Sequence, residues 1–299
     1  MKVIFFGTPE ISLPFLQMLI EDHEIDVEAV VTKPDKPVGR KQELTKPPIK
    51  KLAEEHDIKV LQPKKNEADF ADFIKKHDAD FNVVISYGEI LPTPVLEAPK
   101  HGSVNIHFSL LPKYRGAAPV QTALLNGDKE TGITIMKMSH KLDEGDIYLI
   151  KKIEITDDEN SETLLKRLAD LGAIMLPSAL RDIADGVLTP LPQNEENATF
   201  CHKIQKEDAK IDPLNDSADE IMNKYRAFQP WPGVFFMFKD KRCKLIEIER
   251  TEKTAAPGDL VENEKELVLG TKKGSLKVKI LQPEGKKPID DKDFINGFL

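Results

Sequence analysis

Short apolar runs separated by helical patterns constrain the fold of this chain more than any other feature. Lys2–Phe6 is such a run, and a glycine turn at Gly7 and a helical pattern follow it. Val27–Thr32 and Phe81–Ser86 repeat the strand-like run, the latter with the apolar content of a strand covered on both faces. Strand, turn and helix in succession are typical of a doubly wound α/β domain. The sequence therefore predicts a Rossmann-like, mostly parallel sheet for the N-terminal part of the chain.

Composition and charge exclude several classes of protein. The 299 residues are enough for two domains with separate cores, and the net charge of −8 is not that of a general polyanion binder. From Gln205 onward 18 basic and 18 acidic side chains cancel, so the excess negative charge lies before that point. The turn after the first strand lacks GxGxxG, which gives NAD binding no support. No apolar run is long enough to span a membrane. The two cysteines, Cys201 and Cys243, indicate neither a disulfide framework nor a cysteine-based zinc site. We therefore expect a cytoplasmic protein.

The segment Asn105–Pro119, NIHFSLLPKYRGAAP, carries the first candidate for chemistry. Asn105 and His107 are two residues apart after an apolar run, so both side chains point to one face at the end of a strand. An amide and an imidazole placed side by side can polarise a carbonyl and transfer a proton. Further along, the turn LDEGD offers Asp143 and Asp146, either of which could orient the imidazole and stabilise its charged form. Standing alone, that turn is more typical of an acidic surface loop.

Two loops that follow predicted strands are candidates for ligand binding. The Tyr87–Pro92 loop lies where open α/β sheets bind ligands, and it would offer backbone groups to a planar heterocycle; a plain strand-to-helix turn is the alternative. The Pro- and Lys-rich segment Lys33–Lys41 is predicted to lack regular structure. It begins a stretch, residues 33–51, with seven cations and only two carboxylates. The segment is either a solvated loop or an arm that meets the phosphates of a nucleic acid.

The pattern changes in the last third of the chain. Residues 189–197, TPLPQNEEN, are rich in Pro and Asn without apolar periodicity and indicate a linker. Beyond a helical stretch at Ala218–Phe228, closely spaced short strands predict a small β-barrel, with an OB-like fold as one candidate. Trp231, between two prolines, is interpreted as a packing anchor. Late lysines are candidates for a cationic patch: Lys272, Lys273, Lys277, Lys279, Lys286 and Lys287.

Several motifs together resemble one enzyme family over nearly the whole chain. They are GTPE after the first strand, PDKPVGR, NIHFSLLPKYRGAAPVQ, TGITIMKM, LDEGD and RAFQPWPG. The SLLPKYRGAAP run, with its upstream N-x-H and downstream LDxGD, is similar to the site shared by enzymes that use 10-formyltetrahydrofolate. The basic loop and the RAFQPWPG segment before the barrel resemble the methionyl-tRNA formyltransferases in particular.

The resemblance implies a domain organisation and a reaction. A Rossmann-like formyltransferase catalytic domain would occupy residues 1–187, a linker residues 188–204, and an OB-like tRNA-binding domain residues 205–299. The formyl group of 10-formyltetrahydrofolate would pass to the amino group of initiator methionyl-tRNA, giving N-formylmethionyl-tRNA for translation initiation. Neither a metal nor a membrane is implied, and we expect a monomer.

The resemblance also implies roles for individual residues. Asn105, His107 and Asp143 would be catalytic, the amide stabilising an oxyanion and the carboxylate holding or charging the imidazole. The folate would be bound by the following residues: Ser109, Leu110, Leu111, Pro112, Tyr87, Gly88, Ile90 and Leu91. The basic loop would contact the tRNA through three cations: Lys36, Arg40 and Lys41.

One residue departs from the family pattern, and two other functions stay open. Phe108 stands between His107 and Ser109, where the family has a small side chain. Strand alternation directs Phe108 away from His107, so we expect it to pack behind the strand rather than narrow the folate entrance. Transfer of the same formyl group to a small amine, a nucleotide precursor or an amino sugar would leave the basic loop and the barrel without a task. A tRNA-binding protein with an inactive domain would predict loss of the Asn, His or Asp, and all three are present.

Overall fold

The computed structural model describes residues 1–39, 42–63 and 70–299. Its helices are α1 Leu13–Glu21, α2 Pro48–Glu55, α3 Phe70–Lys76, α4 Thr93–Leu96, α5 Pro119–Leu125, α6 Ser161–Ala184, α7 Ala218–Ala227 and α8 Asp291–Phe298. None of these helices combines the length and the hydropathy that crossing a membrane requires. Its strands are β1 Lys2–Gly7, β2 Asp26–Val31, β3 Lys36–Val38, β4 Glu43–Thr45, β5 Val60–Leu61, β6 Phe81–Ile85, β7 Ser103–His107, β8 Arg115–Gly116, β9 Glu130–Lys137, β10 Ile147–Glu154, β11 Phe200–Cys201, β12 Phe235–Phe238, β13 Lys241–Thr251, β14 Leu260–Asn263, β15 Glu266–Gly270, β16 Ser275–Pro283 and β17 Ile289–Asp290.

A seven-stranded sheet is the centre of the N-terminal part of the chain. Its strand order is β10-β9-β7-β6-β1-β2-β5, and the five strands from β7 to β5 run parallel. Strand β9 lies antiparallel to β7. Strands β1 and β6 take central places because nearly every residue of both is buried, which matches their uninterrupted apolar runs. The predicted Rossmann-like, mostly parallel sheet is confirmed.

The order of the strands reverses between β1 and β6, and the loops after these two strands are tied together. From β1 the chain moves outward through β2 to β5, then returns to β6 on the other side of β1. Ser12 Oγ donates a hydrogen bond to the carbonyl of Ile85 (2.8 Å), and Thr8 Oγ1 donates to the carbonyl of Tyr87 (3.2 Å). Such a switch point opens a crevice at the carboxyl ends of the strands, where α/β folds bind ligands. Strand β7, which ends at His107, is the next strand beyond β6.

The segment predicted to lack regular structure contains β3, one strand of a short hairpin, which corrects that prediction. Strands β3 and β4 pair antiparallel, with Pro37 opposite Leu44. A proline is tolerated in a two-stranded hairpin because its missing N–H costs no hydrogen bond when it faces solvent. Lys36 is exposed on this hairpin. Arg40 and Lys41 lie outside the described residues.

A second, antiparallel sheet lies in the C-terminal part of the chain. Its order is β12-β13-β16-β15-β14, and β17 pairs with β16. Its long strands alternate buried residues with partly or fully exposed ones, as expected for a sheet that curls round one core, and the predicted barrel-like fold is confirmed. The sequence pattern does not predict β14 or helix α8, whose only fully buried residue is Phe294. Trp231 is 54% exposed, so its interpretation as a packing anchor is wrong.

The described part of the chain divides into two compact units. The first unit comprises residues 1–116, 131–154 and 165–200, and the second comprises residues 117–130, 155–164 and 201–299. Within the second unit, helix α5 packs against helix α7. A catalytic domain over residues 1–187, a linker over 188–204 and a further domain over 205–299 stay predictions.

Candidate active site

His107, the last residue of β7, is held in one orientation by the loop that follows it. It is 6% exposed, and its Nε2 atom lies 2.8 Å from the carbonyl oxygen of Tyr114. A carbonyl can only accept a hydrogen bond, so Nε2 carries a hydrogen and donates it. The proton that the ring gains or loses is therefore on Nδ1, which lies 3.6 Å from Oδ2 of Asp143.

Asp143 lies in the turn between β9 and β10, and the turn fixes its carboxylate. Its φ angle is 53°, in the left-handed region that Asp tolerates better than most residues. Oδ2 accepts a hydrogen bond from the backbone N–H of Gly116 at 2.8 Å, and the same oxygen faces the imidazole. Two residues on, a Cβ at Gly145 would overlap with the carbonyl of Lys137, so the turn requires glycine there. Of the two aspartates in the LDEGD turn, the one at the imidazole is Asp143 rather than Asp146.

Asn105, two residues before His107 on β7, lines a cavity of about 180 Å³. Its side-chain amide has no hydrogen-bonding partner within the described parts of the chain. Asp143 lines the same cavity, so an amide and a carboxylate face one space. The rest of the wall is largely apolar, with side chains of Ile90, Leu91, Leu96, Met136, Met138 and Leu142. The cavity therefore suits a ligand with a small apolar body and a polar reacting group.

The predicted folate-binding residues at the end of β6 lie in and next to the cavity. Ile90 and Leu91 line it, and Ile90 is almost fully exposed. Tyr87 is buried beneath the loop, which raises the pKa of its hydroxyl. The carbonyl of Gly88 accepts a hydrogen bond from Nζ of Lys33 at 2.7 Å. This contact ties the loop to the first residue of the basic segment.

The predicted folate-binding run Ser109–Pro112 does not line this cavity. Ser109 is fully buried, and its hydroxyl donates a hydrogen bond to the carbonyl of Lys113. Thr134 on β9 holds the run, since its Oγ1 donates to the carbonyl of Ser109 (2.7 Å) and accepts from the N–H of Leu111 (3.1 Å). Leu111 is buried, and the other two residues of the run are half-buried. A contact between this run and folate stays a prediction.

Gln193 and Arg115 form a buried network next to the Asp143 turn that sequence reasoning misses. Gln193 donates from Nε2 to the carbonyls of Asp143 (2.8 Å) and Gly145 (2.7 Å). Its Oε1 accepts from Nε (3.0 Å) and Nη2 (2.8 Å) of Arg115, whose side chain is 1% exposed. Arg115 also donates two hydrogen bonds to Glu195, which holds the pKa of that carboxyl below its ordinary value. No local signal marks Gln193, because the stretch around it has the composition of a linker.

Phe108, which departs from the family pattern, packs into the core of the sheet domain. It is buried, and its ring centroid lies 6.3 Å from that of Phe15 in α1. It does not line the cavity that contains Asn105. The expectation that it packs behind the strand is confirmed.

The cations predicted to meet RNA differ in their surroundings. Lys36 is exposed on its hairpin, whereas two of the late lysines form ion pairs on the C-terminal sheet. Lys277 contacts Glu266 at 2.7 Å, and Lys279 contacts Glu249 at 2.5 Å. Because these charges are neutralised by carboxylates of neighbouring strands, Lys277 and Lys279 do not belong to a cationic patch, which corrects the prediction for these two residues; for the other four late lysines it stays a prediction.

Two family models cover most of the chain. The model described as "Formyl transferase" matches residues 1–180, and the model described as "Formyl transferase, C-terminal domain" matches residues 203–299. The chain is also similar to the methionyl-tRNA formyltransferase of Thermodesulfovibrio yellowstonii, with 45% identity over 296 residues. That alignment covers 99% of this chain and 95% of the relative.

Solved structures share the fold at low sequence identity. An N-formyltransferase from Helicobacter canadensis, solved with folinic acid and dTDP-3-aminofucose, aligns with a TM-score of 0.70 at 20% identity, over 95% of this chain and 99% of that one. HypX from Aquifex aeolicus, solved with tetrahydrofolic acid, aligns with a TM-score of 0.64 at 15% identity over 99% of this chain. This chain spans 46% of HypX, about half its length. At these identities the likeness shows the fold alone.

Proposed function

The chain belongs to the formyl transferase family, and from that premise we propose that it transfers the formyl group of 10-formyltetrahydrofolate to the amino group of initiator methionyl-tRNA. The observation that carries the proposal is the convergence of Asn105, Asp143 and His107. The amide and the carboxylate line one cavity, and the imidazole faces the carboxylate at 3.6 Å. These three groups suffice to stabilise an oxyanion and to transfer a proton.

Asn105 is placed to stabilise the negative charge that the reaction creates. When the amino group of the methionyl ester attacks the formyl carbon, the formyl oxygen becomes an oxyanion in a tetrahedral intermediate. The Asn105 amide, unpartnered by any described residue, would donate a hydrogen bond to that oxygen. A donor held in advance at such a position contributes roughly 10²–10³-fold to the rate.

His107 and Asp143 would carry the proton that the amine loses. The amine gives up one proton, and N10 of tetrahydrofolate gains one when its bond to the formyl carbon breaks. The reaction therefore neither releases nor consumes a proton overall. Nε2 of His107 is engaged with a carbonyl, which leaves Nδ1 to accept and return the proton. The carboxylate of Asp143 stabilises the charged ring during that interval.

The cavity at Asn105 would hold the ring end of the folate. Its volume of about 180 Å³ is smaller than the roughly 300–1,000 Å³ of pockets that enclose a drug-sized ligand. A planar pterin would lie among the apolar side chains at Ile90, Leu91 and Leu142, while the remainder of the folate extends outside. Ser109–Pro112 would contact the folate from the loop after β7.

The RNA would be bound by the basic loop and by the C-terminal domain. Lys36, Arg40 and Lys41 would contact the acceptor end of the tRNA, because cations neutralise backbone phosphates. The catalytic domain would occupy residues 1–187 and the tRNA-binding domain residues 205–299. The protein would act as a cytoplasmic monomer.

A formylation assay with competing acceptors tests this function. The purified protein is given 10-formyltetrahydrofolate together with charged initiator Met-tRNA, free methionine or an amino sugar nucleotide. We expect rapid formylation of Met-tRNA and negligible transfer to the other two acceptors. Faster transfer to the sugar nucleotide would show that the tRNA assignment is wrong, and absence of both transfer and donor hydrolysis would show that formyl chemistry is wrong.

A further inference from the structure

We propose that Gln193 is a positioning residue for Asp143, an inference that rests on the catalytic role proposed for that carboxylate. Gln193 does not line the cavity, and its amide makes no hydrogen bond to the imidazole. It acts on the turn itself, since Nε2 donates to the carbonyl of Asp143 at 2.8 Å and to the carbonyl of Gly145 at 2.7 Å. Both carbonyls belong to the turn that presents the carboxylate.

The side chain of Gln193 uses all of its hydrogen-bonding capacity in this one place. Its two amide hydrogens go to the two carbonyls, and both acceptor positions of Oε1 take N–H groups of Arg115. Gln193 is 9% exposed, so water does not replace these bonds when one is lost. A buried polar group with every position satisfied is rigid, and rigidity is what a positioning residue needs.

The turn needs such support because its backbone is constrained and its carboxylate is held by few contacts. Asp143 has a left-handed φ of 53°, and Gly145 is pressed against the backbone of Lys137. The carboxylate of Asp143 has one backbone hydrogen bond, from Gly116, and its 3.6 Å approach to the imidazole. A displacement of about 1 Å at a catalytic group can cost about 100-fold in rate, so small movements of this turn matter.

Arg115 extends the support away from the turn. Its guanidinium is 1% exposed and forks between Oε1 of Gln193 and the carboxylate of Glu195. The order Glu195, Arg115, Gln193, Asp143 is thus a continuous chain of hydrogen bonds that ends at the candidate catalytic carboxylate. Gln193 is the member that makes the direct contact with the turn.

Two substitutions of Gln193 distinguish the effect of its hydrogen-bond donors from the effect of its side-chain volume. Gln193→Glu keeps the shape and the acceptor for Arg115 but removes both donors to the turn. Gln193→Met keeps most of the volume and removes every hydrogen bond, so it preserves the test if the first variant folds poorly. The matched control is Gln17→Met, which removes an amide donor to the carboxylate of Glu21 at a partly exposed position of helix α1.

The readouts are the kinetics of Met-tRNA formylation, the hydrolysis of 10-formyltetrahydrofolate and the thermal midpoint. For both Gln193 variants we expect kcat to fall about 10- to 100-fold while KM for each substrate stays within about twofold. The control should change neither. In an Asp143→Asn background, the Gln193 substitutions should cause no further loss of kcat, because the carboxylate that Gln193 positions has already been removed.

Three outcomes would overturn the proposal. The first is an unchanged kcat in either Gln193 variant, and the second is the same fold-loss with and without the Asp143 carboxylate. The third is a rise in KM alone. Hydrolysis of 10-formyltetrahydrofolate distinguishes these outcomes from a failure of the proposed function. A wild-type protein that hydrolyses the donor but does not formylate Met-tRNA would show that the proposed acceptor is wrong. The effect of the Gln193 substitutions would then still be measured from the rate of donor hydrolysis.

Discussion

Nδ1 of His107 and Oδ2 of Asp143 lie 3.6 Å apart, and each group is fixed by a separate backbone contact. The ring is fixed through the carbonyl of Tyr114, and the carboxylate through the N–H of Gly116. A charged hydrogen bond between such groups is normally about 2.7–2.9 Å long, so this pair is not closed. The gap leaves Nδ1 without a hydrogen bond to the carboxylate, which still attracts a charged ring.

Asp143→Asn should remove the charge at this pair and leave its geometry in place. The side-chain oxygen of an asparagine still accepts the hydrogen bond from Gly116, so the turn should keep its conformation. We expect kcat for formyl transfer to fall about 10²–10⁴-fold, the range of a lost general acid–base partner, with little change in the thermal midpoint. The control is Asp146→Asn in the same turn, which should keep its activity within about twofold. Equal losses in the two variants would contradict the assignment of Asp143.

Asn105→Ala should lose rate without losing stability. Its amide bonds to no described residue, so its removal breaks no hydrogen bond of the folded protein, while kcat should fall roughly 10²–10³-fold. Asn82 on β6 is the matched contrast, because its Nδ2 donates to the carbonyl of Val95 (2.9 Å) and to Oγ of Ser103 (3.1 Å) in the core. Asn82→Ala should lower the free energy of unfolding by about 1–3 kcal/mol and leave kcat nearly unchanged. If Asn105→Ala destabilises the protein as much, its role is structural.

The candidate catalytic residues could be predicted because short-range patterns mark them. Asn105 and His107 share a strand face by simple alternation. The LDEGD turn indicates a carboxylate, although only the structure shows that Asp143 rather than Asp146 faces the imidazole. Gln193 could not be found in this way, because it is 50 residues from Asp143 in sequence and meets the turn only through tertiary packing. Its neighbours have the composition of a linker, which conceals a buried side chain.

In the fold as well, elements that a local sequence pattern determines could be predicted, whereas those that depend on contacts between distant residues could not. The buried strands of the parallel sheet have continuous apolar runs, so composition alone identifies them. The β3–β4 hairpin lacks such a run, because its two short strands mix charged, polar and apolar residues with Pro37 and pair only with each other. The ion pair of Lys277 with Glu266 similarly depends on which strands are neighbours, and charge counts along the sequence do not contain that information.

Phe108→Ala should destabilise the sheet domain without a specific effect on catalysis. The ring is buried against Phe15, and removing a buried phenyl ring typically costs about 3–5 kcal/mol in the free energy of unfolding. Phe108→Leu retains most of the volume and should lose much less. Denaturant titration gives the stabilities, and kcat and KM of the folded fraction should stay within about threefold. A lower KM for the folate donor at unchanged stability would instead mean that the ring narrows the folate entrance.

Lys36→Ala combined with Arg40→Ala should weaken the use of tRNA and spare the formyl chemistry. Lost phosphate contacts raise KM for Met-tRNA and reduce the salt dependence of kcat/KM, by a slope of about 0.7–0.9 for each contact. Hydrolysis of 10-formyltetrahydrofolate should be unchanged, because Lys36 does not line the cavity at Asn105 and phosphate contacts contribute nothing to the reaction with water. The control is Lys75→Ala, an exposed lysine on α3. A parallel fall of hydrolysis and transfer would indicate that the loop is structural.

Cys243 should make the stability of the protein fall at alkaline pH. The residue is 2% exposed, and burial raises the pKa of its thiol from 9.0 to about 11. The unfolded thiol ionises at the lower pKa, so this contribution to stability is fully present below pH 9.0 and is lost as the pH rises towards 11. The free energy of unfolding of the wild type, relative to Cys243→Ala, should therefore decline over that interval by up to about 3 kcal/mol. Denaturant titrations of both proteins at several pH values measure the difference, and a difference that does not change with pH would show that the thiol titrates normally.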